Sequence, residues 1–124
     1  MDLKPSDTFC EYFVYNNIGF SLIQLQRYIE AENCLRKAIE LDSSRANGFK
    51  NLGLSLEGQG RFSEAAWNYV AAVKANASDP RALAHLEELI ACHKEIFGEM
   101  ANLSYHFNLC RQAVAFAAEK NKRN

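Results

Sequence analysis

Cys92, His93, His106 and Cys110 are the residues of this chain best suited to metal chemistry. Two thiolates and two imidazoles can hold a zinc ion, provided all four reach within about 2.0–2.3 Å of one point. His106 and Cys110 stand four apart and share a helical face. Cys92 and His93 are adjacent, so on a helix they point about 100° apart and do not both face one ion. The same set offers a cysteine nucleophile beside a histidine, but no glycine-rich phosphate loop, HExxH or GxSxG accompanies it. No catalytic residue, metal or cofactor is therefore assigned, and the chain is read as not an enzyme.

Asn17 and Asn51 are a different kind of pair. An asparagine amide carries two donors and one acceptor, so it can bond a peptide backbone whatever the side chains are. The two stand 34 residues apart, and so do their neighbours. Tyr15 maps to Phe49, Ile18 to Leu52, Gly19 to Gly53, Leu22 to Leu56, Tyr28 to Phe62, Ala31 to Ala65, Leu35 to Tyr69 and Ala38 to Ala72. A domain with one unique core has no cause to repeat at a fixed period. A stack of like units has, because each presents the same face to the next.

The elements follow from apolar residues spaced three and four apart nearly throughout, with no strand-like alternation. Helices are expected over about Thr8–Leu25, Tyr28–Leu41, Arg45–Gln59, Ser63–Ala75, Pro80–Phe97 and Met100–Glu119. Thr8 and Glu11 fit a capping box. Gly58 and Gly60 bracket a turn, Asp79 and Pro80 suit a helix start, and Gly98 marks a break or a bend.

These residues resemble the tetratricopeptide repeat, a 34-residue helix-turn-helix with the signature W-x2-L-G-x2-Y…A-x3-F…P. Tyr15, Ile18, Gly19, Leu22, Ala31, Leu35 and Ala38 carry the first copy. Phe49, Leu52, Gly53, Leu56, Ala65, Tyr69 and Ala72 carry the second. Ser43 and Ala77 replace the closing proline. Leu83, Leu86 and Ile90 keep the phase of a third copy, but Glu87 and Glu99 stand where its glycine and alanine belong. The resemblance implies one all-α domain over residues 1–124, with repeats at about 12–45 and 46–79 and a degenerate capping repeat at 80–120. Three antiparallel helix pairs would form a right-handed superhelical α-solenoid. Leu3-Lys4-Pro5 looks like the close of a preceding unit, which would make the chain part of a longer array.

The resemblance also implies a scaffold or adaptor that holds a protein or peptide partner in a concave groove lined by the first helix of each pair. Carried over, the lining is Phe13, Asn17 and Phe20, then Lys50, Asn51, Leu54 and Glu57, then His85 and Glu88. A clamp for a partner's C-terminal carboxylates fits poorly. Lys50 and Asn51 suit it, whereas Asn16, Phe20, Ala84 and Glu88 occupy places that want cations or amides. Self-association through end faces or through Trp67 is the second expectation.

Composition bounds the rest. The chain has 124 residues, 48% of them hydrophobic and 23% charged, with net charge −1. That charge argues against nucleic-acid binding, which needs a basic stripe. No apolar run reaches the roughly 18 residues of a membrane span, and Met1–Pro5 lacks the apolar core of a signal peptide. Cys10, Cys34, Cys92 and Cys110 are widely spaced and read as reduced thiols, so a cytoplasmic location is expected.

Overall fold

A computed structural model describes residues 5–123, and among them only helices and turns occur. The order is α1 (Pro5–Gln24), α2 (Tyr28–Leu41), α3 (Ala46–Gly58), α4 (Phe62–Ala75), α5 (Arg81–Cys92), α6 (Ile96–Glu99) and α7 (Leu103–Arg123). From α1 to α5 each helix packs on the next, whereas α6 and α7 pack back on α4. The expected α-solenoid architecture is present. Leu3 and Lys4, read as the close of a preceding unit, lie outside the described residues.

The repeat is physical as well as textual. A methyl group built on Gly19 would stand 2.5 Å from Cγ of Leu35, and one built on Gly53 would stand 2.5 Å from Cε1 of Tyr69. Leu35 and Tyr69 are themselves 34 apart. Each glycine thus lets the second helix of its pair lay a large side chain against the first helix. Ala31, Leu35 and Ala38 are buried in α2, and Ala65, Tyr69 and Ala72 at the matching places of α4. Helix α4 also buries Ala66, Val70 and Val73, because α5 and α7 cover its other side. Full burial of Leu56 or Leu86 contributes about 1.5–3 kcal/mol each.

The turns repeat too. Asp42 Oδ1 accepts from the Ser44 amide at 3.0 Å, and Asn76 Oδ1 from the Ser78 amide at 3.1 Å. Gln26 and Gly60 both have left-handed backbones, with φ 60° and 77°. Gly58 is the last residue of α3, packed beneath the Tyr28 ring.

Three expectations are corrected. Helix α1 starts at Pro5, ahead of Thr8, so Thr8 does not cap it. Helix α5 starts at Arg81, one residue after Pro80, while Asp79 Oδ1 accepts from the Arg81 amide at 3.0 Å. The third pair is not a simple hairpin. Helix α5 stops at Cys92, where the His93 ring stacks on Phe62 with centroids 3.7 Å apart. A single turn, α6, then buries Ile96. A second break follows at Met100–Asn102, with Asn102 left-handed at φ 68°. Asparagine tolerates that region better than most residues. Gly98 neither ends nor bends a long helix; it lies inside α6 with open space around it. Helix α7 leans on α4 more than on α5, as exposed Glu87 and Glu99 in place of small residues would require.

Candidate functional site: the inner face of the first helices

The residues expected to line the groove sit on α1, α3 and α5, and two of their repeat positions recur on all three helices. Phe13 matches Asn47 and Arg81; Asn17 matches Asn51 and His85; Phe20 matches Leu54 and Glu88. Phe20 is 42% exposed. Asn17 and Glu88 are also exposed, while Phe13, Lys50, Leu54, Glu57 and His85 are half-covered.

Asn51 is different. It is 4% exposed, and its Nδ2 donates to Oδ1 of Asn16, itself 6% exposed, at 3.1 Å. The amide therefore ties α3 to α1, and of the two asparagines only Asn17 lies open. Asn17 and Asn51 therefore do not both present their amides to one ligand backbone, as their repeat-equivalent places led one to expect. Among the described residues Oδ1 of Asn51 has no hydrogen-bond partner. Sequence reasoning passed over Asn16 as a partner. The available signal was the Asn16-Asn17 doublet, one residue off the 34-residue register with Asn51.

Other bonds fix the spacing of these helices. The Gly48 amide donates to the Tyr12 hydroxyl at 3.0 Å, joining α3 to α1. Arg81 Nη2 donates to Oδ1 of Asn47 at 3.3 Å, joining α5 to α3. The buried Tyr69 donates its hydroxyl to Oε1 of Glu57 at 2.7 Å and stacks on His85 with centroids 5.6 Å apart. Burial, then the Glu57 carboxylate, drives the Tyr69 phenol far above its ordinary range. Glu57 and His85 are thus held in place by a core residue.

Charge across the face is mixed. Partial burial, then repulsion from Arg81, lowers the Lys50 ammonium, with Asp79 opposing. Asp79 is held down to about 2, first by its hydrogen bond from the Arg81 side chain. At one rim a cleft of about 290 Å³ opens between Tyr12, Phe13, Arg45, Asn47 and Asp79. The Arg45 guanidinium lies 5.1 Å from the centre of the Phe13 ring.

The cysteine–histidine set is dispersed. His93 lies against Phe62, His106 meets Trp67 edge-on at 5.1 Å, and Cys110 is buried. Among the described residues no three His, Cys, Asp or Glu side chains gather around a point that could hold a metal ion. Trp67 is accordingly part-covered by the chain's own α7. No helix among the described residues is long and apolar enough to cross a membrane.

Residues 12–45 match the family model of the tetratricopeptide repeat. The chain is also similar to one in the crystal structure of a T3SS complex from Aeromonas hydrophila. The TM-score is 0.64 and the identity 17%, over 91% of this chain and 84% of that one. At this identity the likeness is one of fold alone. No curated protein matches.

Proposed function

We propose that this chain, in which residues 12–45 match the tetratricopeptide repeat, holds an extended segment of a partner protein along the inner face of α1, α3 and α5. Repeats of this family are non-catalytic modules that generally mediate protein–protein interaction. The observation that carries the finer reading is the pair Phe20 and Leu54. They occupy one repeat position on successive first helices, and the chain closes over neither completely. Apolar side chains left open at a fixed spacing suit alternate apolar residues of an extended ligand.

Polar contacts divide by accessibility. Asn17 is open to bond a ligand backbone. Lys50, part-desolvated beside Arg81, would gain from a carbonyl or carboxylate oxygen. Glu57, His85 and Glu88 offer acceptors and a ring farther along. Asn51 acts from beneath, by setting the distance between α1 and α3 through Asn16. A mixed face of this kind fits an internal segment better than an acidic tail.

The test is the variant Asn17→Ala with Phe20→Glu, assayed for binding to peptides selected on the wild-type protein. Affinity is expected to fall more than about tenfold, or about 1.4 kcal/mol, with helicity unchanged. Undiminished binding overturns the assignment.

A further inference from the structure

On α1 the residues Cys10, Val14, Ile18, Ser21 and Leu25 follow one another at spacings of three and four, which sets them in one stripe. Cys10, Val14, Ser21 and Leu25 are exposed, and Ile18 is 45% exposed. Ser44 and Ser78, the equivalents of Cys10, are exposed like it. Those of Val14, Ile18, Ser21 and Leu25 are Gly48, Leu52, Ser55 and Gln59 in the second unit and Ala82, Leu86, Leu89 and His93 in the third; all are buried except Gln59 and His93, which are half-covered. Leu52 is 2% exposed and Leu86 0%, and Ser55 and Leu89 are buried as well. What covers them is the second helix of the unit before. Ile39 and Tyr28 of α2 lie against Gly48 and Gly58, and Phe62 of α4 lies on His93. The α1 stripe is thus a surface of the kind that twice in this chain is closed by a helix.

Its charge pattern says which helix. From Tyr12 to Gln26 the chain has no charged residue. Two such faces meet without leaving a buried unpaired charge. The run is bounded by Glu11 and Arg27, opposite charges that an antiparallel pairing of two copies brings toward each other. The exposed stripe Tyr105, Leu109 and Phe116 of α7 is bordered by Glu119 and Lys120 and matches less well.

We infer that the open stripe of α1 docks on the same stripe of a second copy of this chain, in a two-fold contact centred near Ile18. An isologous contact of this type closes at the dimer. It lies beside the proposed ligand face, not on it, so the dimer would present two such faces.

The experiment measures mass against concentration by analytical ultracentrifugation on the full chain. Wild type is expected to dimerise, Ile18→Glu to be monomeric, and Phe116→Glu to dimerise like wild type. Mixing Ile18→Glu with Ile18→Lys is expected to restore a dimer, because a two-fold axis near Ile18 sets the two charges together. Circular dichroism verifies that each variant folds, and Val14→Glu replaces Ile18→Glu if the latter does not. Wild type that stays monomeric to about 100 μM, far above the micromolar range of a weak specific contact, overturns the inference. So does loss of association in Phe116→Glu, which means head-to-tail stacking through α7, or failure of the Glu and Lys variants to rescue each other.

Discussion

Asn51 on α3 donates its side-chain amide to Oδ1 of Asn16 on α1 across 3.1 Å, with both residues almost wholly buried. A repeat position that looks like a ligand contact in the sequence is thereby spent on holding two first helices in register. Removing one partner strands the other. Asn51→Leu leaves Asn16 Oδ1 without its donor and is expected to cost about 1–3 kcal/mol in urea denaturation. Replacing both, Asn16→Leu with Asn51→Leu, removes the stranded group, so the double variant is expected to lose clearly less than the sum of the singles. Additive losses would show that the two amides are not coupled.

Gln26 and Gly60 occupy one repeat position with one left-handed backbone, yet only one of them is glycine. A side chain in that region costs about 1–2 kcal/mol, offset by the extra freedom glycine has when unfolded. Gln26→Gly is expected to raise stability by about 0.5–1 kcal/mol. Gly60→Ala is expected to lower it by about 1 kcal/mol through the backbone alone, since a methyl group there meets nothing within 4 Å. The midpoints of urea denaturation measure both.

Gly19→Ala drives a methyl group into the side chain of Leu35, which is fully buried and must shift to admit it. The expected loss is about 1–3 kcal/mol. Leu35→Ala alone opens a cavity and costs about 2–5 kcal/mol. Combined, the two are expected to cost less than their sum, because the new methyl group occupies part of the space vacated. A thermal melt of the three variants measures the shortfall; strict additivity would contradict the close approach.

Much of this was legible from the 34-residue period, because the period records which faces are buried. The bounds of α2 match the expected Tyr28–Leu41, and Gly19 and Gly53 meet equivalent neighbours. What escaped depends on contacts between units that differ from one repeat to the next. Helix α5 ends at Cys92, where His93 stacks on the Phe62 ring, a pairing that periodicity does not encode. The break expected at Gly98 falls instead at Met100–Asn102, where Asn102 is left-handed. The burial of Asn51 likewise depends on which side chain sits opposite it. The open stripe on α1 could not be recognised from its own residues, since Ile18 and Leu52 look alike in sequence and differ only in what lies over them.

Two groups give the stability a pH profile at opposite ends. The carboxyl of Asp79 is held down to about 2 from its ordinary 3.8, first by the Arg81 side chain. Its contribution is present above the ordinary value and is lost as pH falls toward 2. Arg81 is exposed and Asp79 only half-covered, so solvent screens the pair, the loss is under about 1 kcal/mol, and Asp79→Asn is expected to flatten it. Tyr69 is shifted the other way, upward from 10.0, by burial and then by Glu57. An unfolded chain gives up that proton first, so stability is expected to fall as pH rises above about 10. Urea denaturation across pH 2–11 measures both limbs; a rise in stability above pH 10 would contradict the burial of the phenol.

The inner face of α1, α3 and α5 as the ligand surface is tested most directly by amide chemical-shift mapping of a bound peptide, selected from a random library on the intact chain. The shifts are expected to concentrate at Asn17, Phe20, Lys50, Leu54 and His85, and to vanish at the same peptide concentration in Asn17→Ala with Phe20→Glu. Shifts confined to the outer surfaces of α2 and α4, or to α7, would contradict the account.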